Sequence, residues 1–379
     1  MFKLYRIVIY VILAGMVIVG CRKDPPIYEP YHTTPYELTG IPYVEAIPHV
    51  SFPDNPMTLE GVALGKRLFF DSTLSKDNTI ACASCHHQDY AFSDRGRQFS
   101  LGVGNAIGNK NAIALFNIAY EPGPFFWDGR APILDSQIVG PVPNPIEMHL
   151  AWSDALPRLQ ARAEYPDMYY KAFGQSVITK ENTVKAIAQF LRTITSFHSK
   201  FDSVAMNLAQ FTPSEQRGRD LFFNDPLINE SINNHTVPFG HRLHVEASGV
   251  DCGHCHTAPF FTQESDFPKL MNDGIGDALV KVPSLRNLKF SAPYMNDGGM
   301  PNLDSVIAHY DHEVSPDSPH VDVRMYAKKY YDPTGLHGAL TPHMELTPQE
   351  IADLKAFINT LNDYSLLTNP EYKNPFLPK

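Results

Sequence analysis

The sequence predicts a mostly α-helical fold made of two tandem domains, and three observations support this prediction. A Cys-x-x-Cys-His motif occurs twice, at residues 82–86 and 252–256. A second pattern, Gly-x-x-Leu-Phe-Phe followed by Asp or Asn, precedes each motif, at residues 65–71 and 218–224. No long run of alternating apolar and polar residues demands a large sheet. A repeat at this period indicates a duplicated domain.

The cysteines indicate what the two motifs bind. The motifs contain four of the five cysteines, which are Cys82, Cys85, Cys252 and Cys255. Two thiols at this spacing can add across the vinyl groups of a haem, and the next histidine, His86 or His256, can bind the iron. The chain is therefore expected to hold two covalent c-type haems, each wrapped in a cytochrome c-like domain. A zinc site and two disulfides are the alternatives.

Helix-capping patterns suggest where each domain begins. Thr58-Leu-Glu60 is expected to open the helix that residues 65–71 close, and Thr212-Pro213-Ser-Glu215 is a capping box for its counterpart. Further helices are predicted at 181–198 and 348–361. The predicted boundaries are 53–208 for the first domain, 209–365 for the second and 366–379 for a C-terminal tail.

The N-terminus predicts export. Residues 1–20 carry two basic residues and then an apolar run, which is typical of a secretory signal. The stretch up to Cys21 resembles a bacterial lipobox, so that Cys21 would become the lipidated first residue; an ordinary anchor with an incidental cysteine is the alternative. Residues 21–52 are rich in Pro and Tyr, which predicts an extended tether. We therefore expect a lipid-anchored protein of the bacterial cell envelope, facing the periplasm or the surface.

The segments around the motifs resemble the bacterial dihaem cytochrome c peroxidase family, which includes the MauG-type enzymes. The resemblance covers about residues 55–362. Besides the haem motifs, it depends on Phe-Trp-Asp-Gly-Arg-Ala at 126–131, Pro-Ser-Leu-Arg-Asn at 283–287 and Ala-Pro-Tyr-Met-Asn-Asp-Gly at 292–298. In this family peroxide reacts at the N-terminal haem, and electrons enter at the C-terminal one.

The resemblance implies roles for four residues of the first domain. Glu147 matches a carboxylate that moves protons during peroxide cleavage, a role that requires burial to raise its pKa. Gln137 matches a glutamine that orients peroxide or water, and Pro141 matches a wall of the same pocket. Trp127 matches a tryptophan between the haems that could relay electrons, although a large buried aromatic residue is often simply core.

The loop after the first motif lacks a ligand that some relatives have. Family peroxidases that need reductive activation carry a blocking histidine there, whereas residues 101–111 contain no His and no Met. We therefore expect the haem on His86 to have an open or water-bound position.

The second axial ligand of the haem on His256 is predicted to be Tyr310. Typical family peroxidases use a methionine fourteen positions after a histidine; here Asn296 replaces that histidine and Tyr310 stands fourteen positions later, as in MauG-type enzymes. Phenolate lowers the potential relative to methionine. Tyr310 as plain core, with Met295 or Met300 as the ligand, is the alternative.

Local periodicity agrees with this assignment of Tyr310. Asn302 could cap a short helix, and Tyr310 would lie on its inward face. That face would comprise Leu303, Val306, Ile307 and Tyr310. The neighbouring His309 would be turned away by about 100°.

A calcium ion between the haems is a further implication of the resemblance. Asn111 matches its side-chain ligand, and Ser291 and Pro293 match residues that supply backbone carbonyls. Oxygen donors suit this hard cation.

The main functional prediction is a peroxidase that reduces hydrogen peroxide to water with electrons from a small cytochrome c or cupredoxin. The alternatives are a MauG-type oxidase, which acts on a partner protein through a stored high-valent state, and a non-catalytic dihaem electron carrier. The net charge of −10, without a basic run, argues against nucleic acid as a partner. Membrane contact is expected through the lipid alone, and the oligomeric state stays open, a homodimer included.

Overall fold

The computed structural model describes residues 30–38, 52–121, 123–223, 250, 252–263, 270–314, 344 and 346–377. Residues 33–379 form one compact unit and residues 1–32 another. The predicted signal segment, Cys21 and most of the tether lie outside the described residues. None of the helices within those ranges is long and apolar enough to cross a membrane.

The described part of the chain is mostly α-helical, as predicted. Its helices are α1 (Leu59–Phe70), α2 (Leu134–Val139), α3 (Trp152–Gln160), α4 (Glu164–Phe173), α5 (Lys180–Thr193), α6 (Lys200–Ala205), α7 (Pro213–Phe223), α8 (Cys252–Cys255), α9 (Leu288–Ser291), α10 (Leu303–Ala308) and α11 (Pro348–Asn359). A short antiparallel hairpin pairs β1 (Leu270–Met271) with β2 (Val280–Lys281). A π-helical turn at His309–Glu313 continues α10.

The first predicted helix, α1, crosses α5 at a glycine. The side chain of Thr58 caps α1 by accepting a hydrogen bond from the Gly61 amide. At Gly65 the two helices are so close that an added Cβ would lie 1.8 Å from the carbonyl oxygen of Ala186. The helix predicted at 181–198 ends earlier, at Thr193, because Ile194 has an extended backbone.

The same arrangement recurs with α7 and α11. At Gly218 an added Cβ would lie 1.9 Å from the carbonyl oxygen of Asp353. Thr347 and Glu350 form the predicted capping box of α11, which ends at Asn359, two residues before the predicted end. The two copies of the sequence pattern therefore build two equivalent helix crossings.

Buried apolar residues form two clusters along the chain. One draws mainly on α1 to α5, and the other runs from Phe201 in α6 to Leu361 after α11. Two residues of the predicted C-terminal tail, Leu366 and Tyr372, belong to the first cluster. The Tyr372 hydroxyl donates a 2.7 Å hydrogen bond to the carbonyl oxygen of Thr193. The tail thus returns to the N-terminal half, while the domain boundaries stay a prediction.

A short part of the predicted tether, residues 30–38, is described. The Leu59 amide donates to the carbonyl oxygen of Thr34 at 2.9 Å, and the Tyr36 amide donates to that of Met57 at 3.0 Å. The segment therefore lies along the start of α1.

A buried ion pair holds the loop that follows the second motif. Arg286 and Asp202 are both completely buried, with a 2.7 Å contact between Nη2 and Oδ1. Arg286 Nε also donates to the carbonyl oxygen of Pro259 at 2.8 Å. The arginine of the motif at 283–287 therefore connects α6 to the loop beside His256.

Candidate haem sites

The first cavity surrounds His86. The imidazole Nδ1 lies 2.9 Å from the carbonyl oxygen of Phe92, and since a carbonyl can only accept, Nδ1 carries the proton. This leaves Nε2 for a metal, an arrangement typical of histidine ligands. Phe92 adopts a left-handed φ of 60°, which turns its carbonyl towards the ring. Cys82 and Cys85 line the same cavity.

No disulfide joins the four described cysteines of the motifs, so the disulfide alternative is not supported. Burial raises the pKa of Cys82 to about 12, with the neighbouring thiol adding to the effect, and that of Cys85 to about 11. No group of three His, Cys, Asp or Glu residues in the described ranges could hold a metal ion, which argues against the zinc alternative. Two thiols followed by a histidine whose Nδ1 donates to a backbone carbonyl suit a c-type haem instead.

Gln137, Pro141 and Glu147 line the His86 cavity together, as the resemblance implies. The Gln137 side-chain oxygen, Oε1, is buried and has no hydrogen-bond partner within the described residues. Glu147 accepts a 2.5 Å hydrogen bond from the side-chain amide of Asn144. Burial raises the pKa of Glu147, while the hydrogen bond from Asn144 and the charge of Arg130 oppose that rise. The cavity therefore holds an unpartnered amide oxygen and a carboxyl group suited to proton transfer.

The loop at 101–111 contacts Glu147 through its backbone. The Val103 amide donates to the carbonyl oxygen of Glu147 at 2.8 Å. Gly102 lies so close that an added Cβ would be 2.3 Å from the carbonyl oxygen of Ile146. The loop thus supports the turn that carries Glu147, and its sequence offers no His or Met to the cavity.

The second cavity surrounds His256 in the same manner. Its Nδ1 lies 3.2 Å from the carbonyl oxygen of Phe261 and 3.1 Å from that of Pro283. Burial lowers the pKa of His256 to about 4, so the ring is neutral and can bind a metal through Nε2. Cys252 and Cys255 line this cavity.

Tyr310 lines the second cavity with both cysteines and His256. Asn302 caps α10 as predicted, by accepting a hydrogen bond from the Ser305 amide. The helix ends at Ala308, and Tyr310 lies in the π-helical turn after it. Burial raises the pKa of Tyr310, and the nearby Asp273 carboxylate adds to this effect. The phenol therefore loses its proton only when a cation replaces it.

His309 differs from the simple helical expectation. It is turned away from the lining of the second cavity, but it is 5% exposed, and its Nε2 lies 2.7 Å from the carbonyl oxygen of Asp273. The π-helical turn changes the angle between successive side chains, so His309 is buried outside the cavity lining while Tyr310 is half-buried within it.

Methionines also line the second cavity. Of the two alternatives to Tyr310, Met295 is among the described lining residues and Met300 is not. Met271 and Met344 line it as well, and no sequence pattern pointed to either. Both Tyr310 and Met295 therefore line the cavity that contains His256.

Trp127 lies in a wall that the two cavities share. The shared lining residues are Asn111, Ala112, Ile113 and Trp127. Trp127 Nε1 donates to the carbonyl oxygen of Asn111 at 2.8 Å, and the Trp127 carbonyl oxygen accepts from the Lys281 amide at 2.8 Å. The indole is therefore fixed at both its ring and its backbone, between the two motifs.

All three predicted calcium ligands line the second cavity: Asn111, Ser291 and Pro293. The Asn111 amide nitrogen Nδ2 donates to the carbonyl oxygens of Arg97 and Gln98, each at 3.2 Å. Asn296, the residue that departs from the family pattern, accepts a hydrogen bond from the Lys110 ammonium.

Both cavities have the chemistry that a c-type haem needs. Each combines two thiols, one free imidazole Nε2 and mostly apolar walls, which is the donor set of a c-type haem.

Comparisons with known proteins agree with this geometry. Residues 59–210 match the family described as Di-haem cytochrome c peroxidase. The methylamine utilization protein MauG of Methylophilus methylotrophus is 30% identical over 340 residues, covering 86% of this chain and 88% of that protein. The chain belongs to the dihaem cytochrome c peroxidase family. Membership in this family implies two c-type haems, and the members of the family are oxidoreductases.

Two further relatives show how broad the family is. The cytochrome c551 peroxidase of Nitrosomonas europaea is 27% identical over 334 residues, covering 85% of each chain. The crystal structure of a MauG-like protein associated with microbial copper homeostasis has a TM-score of 0.67 and 29% identity, covering 94% of this chain and 100% of that one. The fold and the family are therefore shown, while relatives include both peroxidases and MauG proteins.

No sequence pattern had indicated a role for three charged or polar residues of the sites. Asn144 bonds Glu147, Arg130 stacks on the Phe126 ring at 3.6 Å, and Asp273 lies near Tyr310. The Asn-Pro-x-Glu spacing at 144–147 is typical of a turn and could have pointed to Asn144. Asp273 has no such signal, because it comes from a distant loop.

Proposed function

We propose that the chain is a peroxidase that reduces hydrogen peroxide to water, with electrons supplied by a small cytochrome c or cupredoxin. The observation that carries this proposal is that two polar side chains line the His86 cavity: Gln137, whose buried Oε1 has no partner among the described residues, and the half-buried Glu147. Bound haem would supply the redox-active iron. The chain's own residues would place the peroxide and move its protons.

Glu147 would act as the proton carrier in this reaction. A carboxylate that takes a proton from peroxide and returns one to the departing hydroxide must titrate near the working pH. Burial moves the pKa of Glu147 in this direction. Gln137 Oε1 would accept a hydrogen bond from the same peroxide or from water.

Trp127 would carry electrons between the cavities. Its indole is held in their shared wall by Asn111 and Lys281. The donor would bind near the His256 cavity, and Trp127 offers an aromatic path from there towards His86.

A MauG-type oxidase is the second candidate, and Tyr310 in the His256 cavity favours it. A phenolate ligand stabilises oxidised iron, which suits a protein that stores oxidising equivalents and then withdraws electrons from a partner protein. One experiment separates the candidates: the ferric protein is mixed with stoichiometric peroxide, and reduced cytochrome c is then added. Fast donor oxidation supports the peroxidase, a long-lived oxidised state with slow donor turnover supports the oxidase, and no spectral change supports the non-catalytic carrier.

We also propose a calcium ion at the junction of the two cavities. Asn111, Ser291 and Pro293 line the His256 cavity, and Asn111 lines the His86 cavity as well. All three offer oxygen donors, which this cation prefers. Metal analysis of the purified holoprotein should find one calcium per chain, and a chelator should alter the haem spectrum. A calcium-free protein with an unchanged spectrum after chelation would contradict this.

The cell envelope is the proposed location, with Cys21 carrying a lipid. The apolar N-terminal stretch before Cys21 supports this proposal. Mass spectrometry of the mature protein should find a lipidated Cys21 as the first residue, whereas an intact N-terminus would contradict it.

A further inference from the structure

Asn144 uses both ends of its side-chain amide within one turn. Its Nδ2 donates to Glu147 Oε1 at 2.5 Å, and its Oδ1 accepts from the Ile146 amide at 3.2 Å. Side chains of Asn often form such local hydrogen bonds in turns. Here one of the two bonds goes to the carboxyl group that faces the His86 cavity.

The backbone of Glu147 is already fixed by other hydrogen bonds. Its amide donates to the carbonyl oxygen of Asn144 at 3.0 Å, and its carbonyl oxygen accepts from the Val103 amide at 2.8 Å. The carbonyl oxygen of Pro141 accepts from the amides of Asn144 and Met148 at 3.3 and 3.2 Å. The remaining freedom of Glu147 lies in its side chain, and this is the part that Asn144 holds.

The two carboxyl oxygens of Glu147 differ as a result. Oε1 accepts from Asn144, while no described residue donates to Oε2. An amide donates to a carboxylate but cannot take its proton, so Oε1 stays an acceptor. Titratable or charged side chains that line the same cavity are those of Cys82, Cys85, His86, Lys110, Asp128 and Arg130.

We propose that Asn144 is a positioning residue for Glu147, whose amide holds Oε1 so that Oε2 is the atom that exchanges protons in the cavity. This inference rests on the proposed role of Glu147 in peroxide reduction. It adds a residue that acts through Glu147, by deciding which carboxyl oxygen is available in the cavity.

Asn144→Asp tests the proposal against a purely structural role. Aspartate keeps the acceptor for the Ile146 amide and nearly the same shape, so the turn survives, but it replaces the donor with a carboxylate oxygen. Asn144→Ala removes both bonds without adding charge. Asn105→Asp adds the same charge at an exposed position of the adjoining loop and is the matched control.

Two readouts are needed, both on the holoprotein. One is the pH dependence of the rate of reaction with peroxide; the other is the infrared C=O band of the protonated Glu147 carboxyl group, identified by its loss in Glu147→Gln. Loss of a hydrogen bond to a carboxylate should move the acid limb and the band titration to higher pH by about one unit in Asn144→Ala. The shift should be larger in Asn144→Asp, because two carboxylates then face each other, and absent in Asn105→Asp.

The order of the shifts decides the outcome. A wild-type profile and band titration in Asn144→Asp would overturn the proposal, because it would show that the turn alone matters. A shift in Asn144→Ala that exceeds the one in Asn144→Asp would overturn it as well. If Glu147→Gln reacts with peroxide at the wild-type rate, the proposed function fails, whereas the infrared titrations still decide whether Asn144 positions the carboxyl group.

Discussion

The cavities around His86 and His256 are built alike around the histidine and differ in other residues that line them. In both, Nδ1 donates to the backbone of a phenylalanine, Phe92 or Phe261, that has a left-handed φ. In both, the domain's first helix crosses a later helix at a glycine. Gln137 and Glu147 line one cavity, whereas Tyr310 lines the other.

This comparison separates the residues expected to hold each haem from the residues expected to take part in its chemistry. The histidine orientation, the thiol spacing and the helix crossings are duplicated, because each half must pack its helices around the same kind of motif. Gln137, Glu147 and Tyr310 come from segments that are not duplicated: α2 and the turn at 141–149 in one half, and the π-helical turn at 309–313 in the other. The functional difference between the sites therefore lies in these segments.

The largest expected effect is a loss of peroxide reactivity at the His86 cavity alone. Glu147→Gln keeps the shape of the side chain but removes proton exchange, so the rate of reaction with peroxide should fall by about 10²–10⁴-fold. Reduction of the haem on His256 by the donor should be unchanged, as measured by stopped-flow spectroscopy. Equal losses at both steps would break the separation between the cavities.

The pH dependence should follow the same carboxyl group. Because burial raises the pKa of Glu147, its reactive ionised form is lost as the pH falls through a range above that of an ordinary glutamate. The peroxide rate should therefore decline on the acid side earlier than for an exposed carboxylate, and Glu147→Gln should lack this limb. A limb that persists in Glu147→Gln would assign it to another group.

The second cavity should respond to its own ligand. Tyr310→Met should raise the potential of the haem on His256, by more than about 100 mV, since axial ligands shift haem potentials over a wide range. Met295→Leu is the matched comparison in spectroelectrochemical titrations and should leave the potential unchanged. If Met295→Leu shifts the potential and Tyr310→Met does not, Met295 is the ligand.

The smallest difference between the two halves is expected at the glycine helix crossings, which both halves share. Gly65→Ala and Gly218→Ala should each lower the free energy of unfolding by about 1–3 kcal/mol, because the added methyl group would overlap a backbone carbonyl of the facing helix. Denaturant titrations should find similar losses in both variants. A loss in one variant alone would show that the two crossings are not equivalent.

Much of this arrangement could be predicted from short sequence patterns. The haem motifs, the capping boxes and the inward face of Tyr310 are local, and the family resemblance led to Gln137 and Glu147. Contacts between distant segments could not be predicted: Asp202 with Arg286, Tyr372 with Thr193, and Lys110 with Asn296. The burial of His309 was not predicted, because a π-helical turn interrupts the regular helix and no residue type in the sequence indicates such a turn.

The most direct test of the difference between the two cavities is the low-temperature EPR spectrum of the ferric holoprotein. An open position on the His86 haem and a Tyr310 ligand on the His256 haem predict one high-spin signal and one low-spin signal of equal weight. Tyr310→Met should change the low-spin signal alone. Two low-spin signals of paired histidines in the wild-type protein would contradict the account.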